Sequence, residues 1–205
     1  DYKHWSVRDL RIASRSQDSI FSLLCNFSKL NTLPGNKTSY FHNFELRSLT
    51  GDNKSKLLVN WENPETNNTK GELIALLNLD RSEVTNNIRS NIYLLPSNIT
   101  IRGKKWHFNR SSVIIDSSSF TFNNLRFYHQ DQKMSIRGKI TKNPKDTLRV
   151  DFSEIQMDYA NLLFPKGNVV LEGIIHGDAQ LANLYNQPTF QSDLNIDTLI
   201  FNHEK

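Results

Sequence analysis

The segments Gln-Lys-Met-Ser-Ile (132–136) and Leu-Arg-Val-Asp-Phe (148–152) carry the pattern that decides the fold. In the second segment, three apolar residues alternate with Arg149 and Asp151. A period of two sends successive side chains to opposite faces of a β-strand. Between the two segments, Asn143–Asp146 (Asn-Pro-Lys-Asp) has strong turn chemistry. The sequence therefore predicts two strands, each with one apolar and one polar face.

The same rhythm extends outward in both directions. From Thr100 to Phe152, apolar runs of about five residues are separated by polar breaks about every ten residues, which is typical of antiparallel all-β folds. Between Phe190 and Ile200, alternate residues such as Leu194 and Ile196 keep one parity over a long stretch. Leu199 and Phe201 have the other parity, which predicts a bulge or turn near Asp197. Five further strands are predicted in the less regular first hundred residues: Tyr2–Val7, Ile20–Phe27, Tyr40–Leu49, Lys56–Trp61 and Gly71–Leu79.

Helix is predicted in only two places. Asp158–Phe164 lacks alternation, begins with an acidic residue and ends before Pro165, which fits at most two helical turns. Leu181–Tyr185 is predicted to form one further turn. The predicted fold class is therefore all-β, with at most one or two short helical turns.

The number of strands bears on how their apolar faces are covered. At least twelve candidate strands are present, and an open sheet of that size must curl or split. Curling produces an elongated, curved, antiparallel-rich sheet, shaped like a taco, with an apolar groove. The alternative is that the groove is filled by its own side chains, or that two sheets pack into an ordinary sandwich.

Composition and charge narrow the function classes. The net charge of +4 comes from Lys and Arg scattered over most strands, whereas nucleic-acid surfaces cluster their positive charge, so no nucleic-acid partner is expected. The single cysteine, Cys25, falls in an apolar run and is predicted to be a small buried residue. No apolar stretch approaches the roughly 20 residues of a membrane-spanning helix.

A search for reactive groups gives no site. The six histidines show no metal-ligand spacing, and the chain has neither a nucleophile elbow nor a phosphate-binding glycine loop. Acidic pairs such as Asp151 with Glu154 are expected by chance among 21 acidic residues. The sequence therefore predicts a protein that is not an enzyme, with no catalytic residue, metal ligand or cofactor.

The order of several motifs resembles a known family. A Trp follows a Gly turn at 103–106, and a Gln-x-Met-Ser-Ile-x-Gly strand follows at 132–138. Next come an Asp-x-Leu-x-Val strand at 146–150, a short helical segment, and a Gly-x-x-x-Gly strand at 173–177. This order resembles the repeating region of TamB-type proteins of Gram-negative bacteria, in the AsmA-like superfamily. The resemblance covers residues 97–205 well and residues 1–96 loosely, and so divides the chain into two continuous β-groove segments.

The resemblance implies a setting and a role. TamB-type proteins are anchored in the inner membrane and extend through the periplasm, and this chain would then be an internal periplasmic fragment whose anchor lies outside it. The family is implicated in outer-membrane biogenesis, through the movement of phospholipid or the assembly of outer-membrane proteins. The partners implied are phospholipid or other apolar chains and an outer-membrane barrel protein of the assembly machinery.

The groove lining expected from strand parity is a set of fifteen apolar residues, and ordinary core packing is the alternative for each of them. They are Trp106, Phe108, Val113, Ile115, Phe120, Phe122, Leu125, Phe127, Met134, Ile136, Leu148, Val150, Phe152, Val169 and Leu171.

Two other function classes remain open from the sequence. A surface adhesin or carbohydrate-binding β-domain would use exposed aromatic residues such as Trp5, Trp61 and Tyr128 as a sugar-stacking platform. A hydrolase on a β-helix scaffold would require clustered carboxylates in a cleft.

Overall fold

A computed structural model describes residues 4–33, 39–63, 68–81, 87–117, 119–162 and 171–201. The chain divides into two compact units, Asp1–Ser117 and Ser118–Lys205. The sequence analysis predicted a boundary between two segments at an earlier position, between residues 96 and 97. In the structure the strands of residues 97–101 and 104–108 pair with each other, and the first of them pairs with a strand of the first unit.

The first unit is an antiparallel β-sheet. Its main strand order is β1-β3-β4-β5-β6-β7-β10, with β2 paired to β3 and the β8–β9 hairpin paired to β6 through β8. The strands are β1 (His4–Arg8), β2 (Arg11–Gln17), β3 (Ile20–Leu33), β4 (Ser39–Gly51), β5 (Lys54–Asn63), β6 (Thr69–Arg81), β7 (Ile88–Leu94), β8 (Ser97–Ile101), β9 (Lys104–Phe108) and β10 (Ser111–Asp116).

The second unit is an antiparallel sheet in simple sequential order, β11-β12-β13-β14-β15. Its one helical element in the described residues is a 3₁₀ helix, Met157–Leu162, which packs against β14. The strands are β11 (Ser119–His129), β12 (Gln132–Ile140), β13 (Thr147–Gln156), β14 (Leu171–Ala182) and β15 (Thr189–Phe201).

Tight turns set the register of several hairpins. The β2–β3 turn has positive φ at Asp18 and Ser19, and the β4–β5 turn has positive φ at Asp52 and Asn53. Two successive residues of positive φ match the right-handed twist of the flanking strands, and Asp and Asn tolerate this conformation better than most residues. The local sequence therefore favours the turns that fix these pairings.

Register shifts interrupt five of the strand pairs among the described residues, one of them between Leu30 and Asn31 of β3. The other four lie near Asn43, Asn124, Glu154 and Thr198, and each of these residues has a positive φ. One extra residue on one side of a ladder locally bends the strand and changes the parity of its side chains. The bulge at Thr198 confirms the change of parity predicted near Asp197.

The all-β class, the antiparallel pairing and a short helix after residue 157 are confirmed. Leu181–Tyr185 is not helical, because Leu181 and Ala182 belong to β14 and pair with β15 before a turn begins. Phe120–Phe122 and Leu125–Phe127 are one strand and not two, because a bulge joins them. Pro34-Gly35-Asn36 and Pro64-Glu65 have the chemistry of turns in the sequence, and both segments lie outside the described residues.

Candidate functional site: an apolar sheet face

The registers of the second unit gather most of the predicted lining on one face. Residues directly opposite each other in an antiparallel pair project to the same side of the sheet. Three rows therefore cross all five strands on this face: Phe122–Gly138–Leu148–Leu181–Phe190, Leu125–Ile136–Val150–Ala179–Ser192 and Phe127–Met134–Phe152–Gly177–Leu194. Phe120 shares the parity of Phe122 and lies opposite Ile140. Nine predicted lining residues thus lie together, and we call this side the apolar face of the second unit.

In the first unit, four predicted lining residues lie on a common face. Val113 lies opposite Ile92, and Ile115 lies two residues further along β10 on the same side. Trp106 and Phe108 are 5 % and 8 % exposed and are among the few fully buried apolar residues. Trp106 belongs to a cross-strand row with Ile99, Gly71 and Trp61. We call this side the apolar face of the first unit.

The last two predicted residues are not placed with the others. Val169 lies outside the described residues. Leu171 begins β14, where it is half-buried and lies opposite residue 201. A register shift between Glu172 and Ile174 separates it from the main rows.

Sequence reasoning missed the lining contributed by the first half of the chain. Two rows on the apolar face of the first unit cross β3 to β6, and they are Leu23–Ser48–Leu57–Ala75 and Cys25–Leu46–Val59–Leu73. Parity within the predicted strands Ile20–Phe27 and Lys56–Trp61 was the available signal. It was obscured because Leu24 and Leu58, on the other face, make Leu23–Cys25 and Leu57–Val59 continuously apolar.

Burial distinguishes the two sides of the sheets. Six apolar residues of the described chain are fully buried. One is Met157, in the 3₁₀ helix, and the other five are strand residues on the apolar faces: Ala75, Trp106, Phe108, Leu125 and Ala179. Most other residues on these faces are half-buried, and six large apolar residues on them are exposed: Ile12, Phe21, Leu79, Ile88, Phe190 and Leu194. A filled sandwich interior would bury far more of them. The apolar faces are therefore only partly covered by the described residues.

A small hydroxyl cluster interrupts the apolar face of the first unit. The Ser55 hydroxyl lies 2.9 Å from that of Ser48 and 2.8 Å from that of Thr50. Ser48 and Ser55 are buried. Because the three hydroxyls satisfy one another, this polar group sits among apolar side chains without unpaired donors.

Charged side chains cover the opposite side of the second unit. The Arg149 guanidinium lies 2.8 Å from Asp151 Oδ1 and 3.0 Å from Asp178 Oδ1. Asp151 also accepts a hydrogen bond from the Ser135 hydroxyl and lies 3.4 Å from Arg137 Nη2. This network occupies the polar face and indicates that this face meets water.

The same network shifts two pKa values. Burial raises the pKa of the Asp151 carboxyl, but hydrogen bonds from Arg149 and Ser135 and the charges of Arg137 and Arg149 outweigh it. The net result is a pKa below the ordinary value for Asp. The hydrogen bond to Asp151 raises the pKa of the Arg149 guanidinium. Both groups are therefore held in their charged forms.

The remaining titratable groups form no metal centre in the part of the chain that is described. Asp151 and Glu154, the acidic pair noted in the sequence, have different partners. Asp151 binds arginines, whereas Glu154 lies at a bulge, 3.8 Å from His176 Nδ1. His176 Nε2 lies 3.4 Å from Asp197.

Comparison with protein-family models, with curated proteins and with solved structures gives no match. Among the described residues, no helix is long and apolar enough to cross a membrane.

Proposed function

We propose that this chain is a non-enzymatic β-groove scaffold that shields or conducts the acyl chains of phospholipids. The observation that carries the proposal is the grouping of apolar residues on one face of each sheet, with most of them only half-buried. A contiguous apolar surface of this kind is unusual in soluble proteins unless something apolar binds to it.

The energetics favour such a role. Each CH₂ group of an acyl chain costs about 0.8 kcal/mol when it is exposed to water. Rows such as Phe127–Met134–Phe152, whose members are half-buried, offer apolar contact across three neighbouring strands. An acyl chain lying across these rows would lose water contact without a chemical reaction, so the function requires neither a catalytic residue nor a cofactor.

The cellular setting is also part of the proposal, and it rests on the resemblance to TamB-type proteins. In that setting the chain acts in the periplasm, within a protein anchored in the inner membrane through a segment outside these residues. It contributes to outer-membrane biogenesis, by phospholipid movement or by assisting outer-membrane protein assembly. The expected protein partner is an outer-membrane barrel of the assembly machinery.

Site-specific photo-crosslinking in a Gram-negative cell tests the lipid proposal. The photoreactive residue p-benzoylphenylalanine would replace Phe152 on the apolar face, and Tyr128 on the polar face would be the matched aromatic control. After irradiation and detergent-free purification, mass spectrometry should detect a phospholipid adduct at position 152 and none at position 128. No adduct at either position, or equal adducts at both, would contradict the proposal.

The carbohydrate-binding alternative requires aromatic rings on a common exposed surface. The ring of Trp61 lies against Gly71 on the apolar face of the first unit, and Tyr128 is on the polar face of the second. The packing of Trp61 against Gly71 is therefore not that of an exposed sugar-stacking ring. Selective binding on a glycan array would favour this alternative, because a lipid scaffold gives no selective signal there.

A further inference from the structure

The side of β2–β5 opposite the apolar face of the first unit carries a second kind of surface. Two cross-strand rows run over these four strands, Ala13–Leu24–Arg47–Leu58 and Arg15–Ser22–Leu49–Lys56. Each row mixes apolar and cationic residues. Leu49 is 56 % exposed although Lys56 lies directly opposite it and Arg47 lies two residues away on the same strand.

These rows line a cavity of about 530 Å³, which we call the β2–β5 cavity. A second cavity of about 420 Å³ adjoins it, shares Leu49 and Lys56, and adds Ile20 and Leu76. Volumes of this size are typical of small-molecule sites. The apolar strip along the two cavities includes Leu24, Leu49 and Leu76, and it lies beside cationic side chains and, in the second cavity, Asp52.

Charge in the β2–β5 cavity has one sign. Its lining includes Arg15, Arg47 and Lys56, and it includes no carboxylate. Arg47 is partly neutralised because its Nε lies 2.9 Å from Glu45 Oε1, outside the cavity lining. Arg15 and Lys56 are therefore the two cations best placed for an incoming anion.

We infer that the β2–β5 cavity binds a monomeric, single-chain anionic amphiphile, such as a fatty acid. The anionic head would lie over Ser22 and Leu49, which stand between Arg15 and Lys56 in their row, and the hydrocarbon tail would lie along the apolar neighbours of Leu49. Cations beside an exposed apolar strip complement both parts of such a molecule. This site is on the opposite face from the proposed acyl-chain groove and does not rest on it.

Calorimetric titration of the full chain with oleate below its aggregation concentration tests the inference. The double variant R15Q/K56Q should raise the Kd for oleate about tenfold, because each substitution removes one cationic contact to the carboxylate. L49D, which places a carboxylate in the cavity, should remove the binding. The control K133Q/K139Q removes two exposed lysines of the second unit and should leave the Kd within about twofold.

Oleyl alcohol separates this site from the apolar faces. A purely apolar groove binds the alcohol and oleate alike, so binding that requires the carboxylate and is lost in R15Q/K56Q belongs to the β2–β5 cavity. Equal affinity for the two ligands, or an equal effect of the control pair, would overturn the inference. Binding to phosphatidylglycerol vesicles without binding of monomeric oleate would also overturn it. Circular dichroism of each variant checks that the sheet is intact.

Discussion

Gly177 lies in the middle of β14 at a φ of 116°, on the row that contains Phe152 and Leu194. A Cβ at this position would overlap the carbonyl oxygen of Asp193 on the neighbouring strand. Both the backbone conformation and the close approach of β15 therefore require glycine.

Gly177→Ala should reduce the free energy of unfolding by about 2–3 kcal/mol, because the added methyl group strains the backbone and separates two strands. Gly51→Ala is the matched control. A Cβ at Gly51 would lie 3.4 Å from the nearest atom, the carbonyl oxygen of Ser19, so this change should cost less than about 1 kcal/mol. Urea denaturation measures both. Equal losses of unfolding free energy in the two variants would show that the close approach of β15 does not determine whether Gly177 can be replaced.

Asp151 should make the stability of the second unit depend on pH in the acidic range. Its pKa in the folded protein lies below the ordinary value, so the unfolded chain takes up this proton first as the pH falls. The contribution of Asp151 to stability is therefore complete above about pH 4 and is lost as the pH falls through its lower, folded pKa.

Asp151→Asn should lower the free energy of unfolding by about 1 kcal/mol at pH 7 and by progressively less as the pH falls below about 4, since the wild type loses the same interaction there. The measurement is urea denaturation at several pH values. Asp131→Asn is the control, because it removes an exposed carboxylate at the β11–β12 turn, outside the Arg149 network, and it should lower the free energy of unfolding at pH 7 by less. A constant difference between D151N and the wild type at every pH would contradict the assignment.

At the scale of elements, bulges reconcile an irregular sequence with a continuous apolar face. Phe122 and Leu125 are three residues apart, yet they lie opposite Gly138 and Ile136, which are two apart. The bulge at Asn124 takes up the extra residue, so both side chains stay on the same face. From Lys133 to Gly138, β12 pairs with β13 without a register shift.

Deleting single residues from β11 and β12 tests this difference. Deleting Ser135 moves Met134 and its strand neighbours to the polar face and should cost about 2–4 kcal/mol, since one residue of slip reverses every side chain beyond it. Deleting Asn124 removes only the extra residue of the bulge and should cost less. The readouts are urea denaturation and binding of the apolar dye ANS. An equal cost for the two deletions would contradict the bulge assignment.

The sequence predicted strands well where alternation was strict, as in Leu148–Phe152, because burial of one face imposes a period of two. It did not predict β2 or β7. In β2 the apolar residues Ile12 and Ala13 are adjacent and the rest are polar, so no alternating face is visible. Leu181–Tyr185 was misread as helix because local propensity was outweighed by pairing of Leu181 and Ala182 with β15.

At the scale of whole molecules, the last strand of the second unit presents an edge. β15 ends the strand order, so its outer side has no hydrogen-bonded neighbour among the described residues. Phe190 and Leu194 lie on its apolar side and are 64 % and 37 % exposed. Long apolar edges of this kind promote pairing between molecules.

We expect the chain to self-associate as its concentration rises, and Phe190→Lys combined with Leu194→Lys should weaken association about tenfold by charging the edge. Sedimentation velocity over a concentration series provides the measurement. Gln191→Lys with Asn195→Lys adds the same charge on the polar side and should have a smaller effect. If both pairs weaken association equally, net charge and not the apolar edge controls it.

The row that joins Trp61, Gly71, Ile99 and Trp106 has an optical consequence. The ring of Trp61 occupies the space that a side chain at Gly71 would fill, and Trp106 is 5 % exposed on the same face. Indole emission moves to shorter wavelength when hydrocarbon replaces water around the ring. With Trp5 changed to Phe, the half-buried Trp61 would act as an intrinsic fluorescence gauge of occupancy, readable in real time without any attached dye, while the buried Trp106 would contribute a nearly constant emission.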